Sequence, residues 1–303
     1  MKNIIVLLIT CLSFTTVLAQ KTELKYNLQT GREYIQEITT ESKIQQHIMG
    51  MDMEIGNTMV MEIGYKILNK DGRYYDMEVR YISMSMEMDT PYGTNLLNTE
   101  SADENDPGSM MMSKMMNIPF GMRMRDDGKV EEIKNLDALF SNLKEGMGDI
   151  NDPQMMQLNA QLQQQFSEQA MKSQVESYAK IYPDEPVAVG DQWESTMEMV
   201  SMMPMTVNSV YQFMGEKDGL YHIQGLSEIK STDMPAEASG MNMTMDMGGN
   251  QTFSFLIDKS TGWLSQATII QDIAGDVTAQ NPMDGESFSF TMNMSSTITI
   301  KGR

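Results

Sequence analysis

Apolar and polar residues alternate along most of this chain, with a period of two that marks strands having one buried face. Leu24 to Gln29 alternates and stops at the Thr30-Gly31 turn, and a long strand is expected from Arg32 to Gln46. Met49, Met51 and Met53 alternate across Gly50 and Asp52, and Met59, Met61, Ile63 and Tyr65 repeat the pattern after an expected turn at Gly56-Asn57. Tyr65–Asn69 and Tyr74–Met88 flank Lys70-Asp71-Gly72, and Asp-Gly between alternating runs is a strong hairpin signal. Met84, Met86 and Met88 alternate with Ser85 and Glu87 on its second arm. Pro91 to Gly108 is acidic and turn-rich and reads as an exposed loop. A methionine-rich arm, Met110 to Met116, leads to Phe120–Arg125, which turns at Asp126-Asp127-Gly128 and returns through Val130–Ile133.

From Leu136 to Tyr182 the period changes. Leu136, Leu139, Phe140 and Leu143 have helical spacing, with Asn135 as the expected cap. Asp152-Pro153 restarts a helix whose apolar stripe runs from Met155 through Phe166 to Val175. Pro183 and Pro186 then forbid a continuous helix by removing two backbone donors. Gly190-Asp191 forms a turn that starts Trp193 on a strand. The β pattern returns in its earlier order. Gly31 to Tyr34 corresponds to Gly190 to Trp193, and the Lys70-Asp71-Gly72 hairpin to one at Lys217-Asp218-Gly219. A methionine-rich stretch follows each, with Met241, Met243 and Met245 in the second copy, and the Asp127-Gly128 turn matches Thr261-Gly262. These landmarks predict a mainly β (α+β) protein, a large curved antiparallel sheet or half-barrel from two repeated β halves with a helical insert between them. The expected layout is a signal peptide at 1–19, a first half at 20–134, the insert at 135–182 and a second half at 183–303, forming one structural domain.

Residues 1–19 combine Lys2, an apolar run from Ile4 to Leu12 and a small-residue cleavage site, so export with cleavage between Ala19 and Gln20 is expected. Lipid anchoring at Cys11 is disfavoured, because a signal of that length would be very short and Thr10 is unusual before a lipidated cysteine. No apolar run reaches the roughly 20 residues of a membrane-spanning helix. With 42 acidic against 22 basic residues the net charge is −20, which excludes nucleic acid as a partner and leaves solubility as the plain role of the charge. His47 and His222 lie in opposite halves, no Gly-x-Ser-x-Gly elbow occurs, and zinc ligands are too few. Asp103 to Gly108 resembles the start of a calcium loop but has Pro107 at a ligand position. The expectation is a non-enzymatic protein without cofactors.

The 35 methionines are the outlier. Alternation alone is what a buried strand face shows, but thioethers also line adaptable apolar cavities and select Cu(I). Met84, Met86, Met88, Met197, Met199, Met241, Met243 and Met245 are the candidate lining of a concavity. Tyr182-Pro183-x-x-Pro186-Val187-x-Val189-Gly190-Asp191-x-Trp193, with Leu24 to Asn27, Gly31-x-x-Tyr34 and Met122 to Val130, resembles an uncharacterised secreted family common in Bacteroidota. That resemblance covers the mature chain, assigns no activity, and implies a fold similar to the LolA-like half-barrels that carry lipids or lipoproteins. The expected function is binding of a hydrophobic small molecule or lipid in the periplasm or outside the cell. Soft-metal (copper) binding and a structural role with envelope partners are the alternatives.

Overall fold

The computed structural model describes residues 21–48, 50–101, 106–146, 163, 166–200, 204–232, 236–238, 241–280 and 287–303. The signal segment, its Ala19-Gln20 junction, Cys11 and the Asp152-Pro153 helix start lie outside these. The first half contains β1 (Glu33–Ile48), β2 (Met51–Asp71), β3 (Tyr74–Thr90), β4 (Gly93–Asn98), helix α1 (Pro107–Ser113), β5 (Phe120–Arg125) and β6 (Val130–Lys134). Helices α2 (Asp137–Gly146) and α3 (Glu168–Ala179) follow. The second half holds β7 (Gln192–Met199), β8 (Met205–Lys217), β9 (Leu220–Ser231), β10 (Ala236–Ala238), β11 (Met241–Asp258), β12 (Leu264–Gln280) and β13 (Ser287–Gly302).

The thirteen strands among the described residues join one antiparallel, curved and unclosed sheet in the order β6-β5-β3-β2-β1-β13-β12-β11-β9-β8-β7, with β4 on β3 and β10 on β11. The chain starts in the middle, winds out to one edge, crosses through the helices to the other edge and winds back. The first and last strands therefore pair, from Gln36–Gly302 to His47–Thr291. Both halves begin alike. Gly31 (φ 84°) donates to Ile67 O at 2.8 Å and Arg32 O accepts from Ile67 N. Gly190 (φ 93°) donates to Phe213 O at 2.7 Å and Asp191 O accepts from Phe213 N.

The edge strands β6 and β7 face the helical insert. On β6, Val130 N donates to Glu176 Oε1 of α3 at 2.8 Å and Ile133 N to Glu168 Oε1 at 3.5 Å. Beyond β7, Val200 N donates to Ser173 Oγ at 3.2 Å. Helix α3 thus satisfies donors that an open sheet would present to other chains. Residues 22–28 cross the same end as a strap. Thr22 exchanges two hydrogen bonds with Val187, Tyr26 N donates to Asp126 O, and Asn27 N donates to Thr261 O. Leu24, Tyr26 and Leu28 alternate inward and are buried.

Four local expectations need correction. Gly56-Asn57 does not turn: it lies within β2, paired to Ser42 and Lys43 on one side and to Met88 and Asp89 on the other, and the chain reverses near Gly50 (φ 81°) instead. Two flanking ladders outweigh the local turn preference. The loop at 91–108 contains β4, a short edge strand on β3. Asp106 caps α1, accepting from Ser109 N at 3.1 Å, and the helix it starts replaces the expected methionine-rich arm. Asn135 is not the cap of α2 but a left-handed residue (φ 61°) in the turn after β6.

A Cβ at Gly128 (φ +91°) would lie 1.9 Å from Ala179 O, so this turn admits only glycine against the end of α3. Gly31 has positive φ but open space around it. Gly128→Ala should therefore cost about 3 kcal/mol or more and Gly31→Ala about 1–2 kcal/mol. Urea unfolding measures both, and equal losses would show that the helix–turn contact is not close-packed.

Candidate ligand-binding face

Antiparallel partners share a face, so the pairing registers define what the sheet presents inward. That face rises in levels from the end closed by the strap and α3. At this floor, Trp263 packs against Tyr34 (5.0 Å between ring centres), Tyr65 (5.4 Å) and Tyr26 (6.3 Å), and Tyr26 meets Tyr182 edge-on at 5.1 Å. The hydroxyls find partners: Tyr65 with Tyr178 at 3.0 Å, Tyr75 to Tyr26 O at 3.1 Å, Tyr26 to Ala179 O at 3.2 Å and Tyr182 to Gly262 O. Burial raises the pKa of Tyr26, Tyr65, Tyr81 and Tyr182, and pushes Tyr178 up to about 12 against the pull of its bond to Tyr65.

Above the floor comes an apolar band that includes Ile38, Met61, Met84, Ile300, Phe255 and Ile223. Then a polar row crosses eight strands in continuous register. Ser195 pairs with Ser209, Ser209 with Ser227, and Ser227 with Gln251. Gln251 pairs with Gln271, Gln271 with Ser296, Ser296 with Ser42, and Ser42 with Asn57. Beyond the row the face turns apolar again and rich in methionine. Met205, Val207, Ile229, Met245, Met247, Ile273, Val277 and Met292 form a cluster separate from the main core, with Met199, Met243 and Met294 packed on it.

The candidate methionines fall on this map as follows. Met86 and Met88 are half-buried on β3 and pair with Met59 and Asn57, while Met84 pairs with Met61 and packs on the main core. Met197 and Met199 on β7 pair with Val207 and Met205. Met243 and Met245 on β11 pair with Ala279 and Val277. Met241 pairs with Ala238 through the backbone, and its side chain lies outside the described residues. The seven with described side chains share the inward face but do not form one group. Met84 belongs to the floor side of the polar row, whereas Met197, Met199, Met243 and Met245 lie beyond it. A bulge decides the placement on β3: Glu62 pairs with Ser83 but Ile63 with Tyr81, so Ile82 is extra. Tyr75, Met77, Val79 and Tyr81 point inward at odd positions, and the bulge turns Met84, Met86 and Met88 inward at even ones.

Residues 183–193, which stop the helical insert and restart the β pattern, occupy the floor end. Asp191 Oδ2 accepts from Ala188 N at 2.8 Å and holds the turn that Gly190 permits. Trp193 stacks on Tyr211 (5.5 Å, 8° between planes) and donates to Ile181 O at 3.2 Å, just past the end of α3. Pro183, Pro186, Asp191 and Trp193 line a surface cleft of 790 Å³ beside Lys180 and Arg125. The histidines face outward, His47 2.7 Å from Asp52 and His222 3.0 Å from Ser254. Among the described residues, no three His, Asp or Glu side chains converge as metal ligands.

The outward face is polar, with Glu41, Lys43, Gln45, Asp272 and Asp276 exposed. This polarity is the reverse of a membrane barrel, whose apolar band faces out. Among the described residues, no helix is long and apolar enough to cross a membrane. Fold and face together define a one-sided β half-barrel with an apolar interior. The chain belongs to DUF6263, a family of unknown function, which it matches over residues 71–264. No curated protein matches the sequence. Among solved structures, lipovitellin, from work on lipid–protein interactions, is similar over 91% of this chain at 8% identity with a TM-score of 0.50. This chain spans 25% of that lipovitellin chain. The outer membrane protein OprG of Pseudomonas aeruginosa aligns over 91% of this chain and 97% of its own at 7% identity, but its TM-score of 0.24 carries no fold argument.

The tyrosine floor has a consequence at high pH. Raised folded-state values favour the neutral phenols, so their contribution to stability is complete below the unfolded value of about 10 and is lost as pH rises beyond it. Tyrosinate absorbance should stay suppressed for the buried phenols until the fold opens near or above about pH 12, together with loss of the β signal in circular dichroism. Full tyrosine ionisation at about pH 10 with the fold intact would contradict the closed floor.

Proposed function

We propose that this protein is an exported, non-enzymatic carrier that shelters a hydrophobic or lipid-like ligand on the methionine-rich part of its inward face. The observation that carries the reading is the one-sided placement of the methionines. Met86, Met88, Met197, Met199 and Met243 are all inward yet only half-buried. A packed core would cover them. Unbranched thioether side chains repack cheaply, which suits a surface that must accept varied apolar shapes. The aromatic floor and α3 close one end, so a ligand would enter from the other. The likeness to lipovitellin concerns the fold; that protein's structure was described for its lipid–protein interactions, which supports a lipid-like ligand in the present reading. Export rests on residues 1–19 and on the acidic, polar outer surface.

A second reading rests on the seven thioethers of Met199, Met205, Met243, Met245, Met247, Met292 and Met294 in one cluster. Soft ligands of this kind select Cu(I). Titration with Cu(I) against a competing chelator tests it, and affinity no better than that of a scrambled methionine-rich peptide would dismiss it.

Native mass spectrometry of protein purified from its own cells, followed by organic extraction, should show bound mass that partitions with lipids. A uniformly ligand-free mass would end the carrier reading. The intact mass of the same protein should correspond to a chain beginning at Gln20; a mass retaining residues 1–19 would refute export by signal cleavage.

A further inference from the structure

We propose that the ligand is a neutral amphiphile whose uncharged, hydrogen-bonding head sits on the polar row while its tail lies along the methionine-rich region beyond. The inference rests on the carrier reading and narrows it to a ligand class. Serine and amide side chains at one level of a sheet interior are costly unless they find partners. Two of them do: Ser209 and Ser227 are buried and share a hydrogen bond of 2.8 Å. Ser42 Oγ also donates to Asn57 O at 3.5 Å, and the amide side chains of the row are left for another partner. Asn57 Oδ1 is buried with no partner among the described residues, and Gln251, Gln271 and Ser296 are half-buried beside it in register.

The chemistry of this face selects the head. Among the described residues, the inward positions of β1, β2, β3, β7, β8, β9, β11, β12 and β13 at the polar row and beyond it carry no Asp, Glu, Lys, Arg or His; the charged residues in inward register, Lys70 opposite Tyr75 and Glu216 opposite Tyr221, lie at hairpin turns of the floor end. A carboxylate or phosphate head would be desolvated there with no cation to pair, within a chain of net charge −20. A cationic head would likewise meet no carboxylate. A bare hydrocarbon would cover the amides and leave them unpaired. Hydroxyl, ester and amide heads can both donate to and accept from Ser, Asn and Gln. The row also has apolar neighbours on both sides, Ile269 and Phe253 towards the floor, Ile273 and Ile229 beyond. Inward polar side chains also occur singly, as Gln36 nearer the floor and Gln46 beyond the row, but the row is the level at which a polar head meets several partners side by side, and that sets how deep the ligand sits.

The test uses the mature protein freed of co-purified lipid. An apolar fluorescent polyene is bound first, then displaced by a monoacylglycerol, a fatty acid and an alkyltrimethylammonium of matched chain. The monoacylglycerol should displace the polyene at least ~10-fold more strongly than either charged amphiphile, the equivalent of about 1.4 kcal/mol. In a Gln251→Leu, Gln271→Leu variant this preference should fall to about 2-fold or less while polyene affinity is unchanged, since each lost hydrogen bond is worth about 1 kcal/mol. Equal displacement by all three amphiphiles, or a preference for a charged one, would overturn the proposal while leaving the carrier reading intact. Failure of the polyene to bind would overturn both. The amphiphile series on the unaltered protein stands without the variant, so misfolding of the variant does not shield the idea.

Discussion

The pairing of the first strand with the last governs this structure. Because β1 and β13 lie side by side in the centre of the sheet, both free edges fall on β6 and β7, the two strands that flank the helical insert. The insert then lies where the sheet needs cover. Glu168, Glu176 and Ser173 reach the edge amides from one helix, and its final residue, Ala179, receives the Tyr26 hydroxyl and seats the Gly128 turn. An unpaired buried amide costs about 1–3 kcal/mol, so these contacts offset a large liability of an open sheet. The strap of residues 22–28 completes the floor by bonding the corresponding turns of the two halves, at Asp126 and Thr261.

With one end closed, the sheet separates polarity by face and by height. Charge is on the outer face. The inner face runs from aromatic floor to apolar band to serine–amide row to methionine-rich region. The tyrosines give the floor rigidity through directional bonds, whereas the methionines bring polarizable surface without a fixed shape. This gradient makes a binding role physically sensible: the rigid end holds the fold, and the adaptable end is only partly covered.

The lessons of the particular residues are uneven. Period-two alternation placed most strands and the Asp-Gly and Thr-Gly turns, because hairpin register follows from local turn chemistry. It failed at Gly56-Asn57, where ladders on both sides overrode a turn signal, and at Asn135, where a left-handed turn replaced a cap. Met84, Met86 and Met88 were recognisable as one strand face and were expected to line the concavity, but what turns them inward was not legible. The Ile82 bulge sets that, and a single extra residue flips every side chain that follows. The eight residues of the polar row share no motif and no spacing. Ser42 and Ser296 are neighbours only because the chain's two ends pair.

The sequence by itself determined the β character, the order of landmarks shared by the two halves, the helical break between them and the abundance of methionine, since each follows from periodicity, turn residues or composition. The tertiary structure alone decided which face those methionines occupy, that a helix and the strap close one end, and that a row of uncharged polar groups crosses the interior. Strand order, bulge position and register are long-range properties, set by contacts between residues far apart in the chain, and no local pattern encodes them.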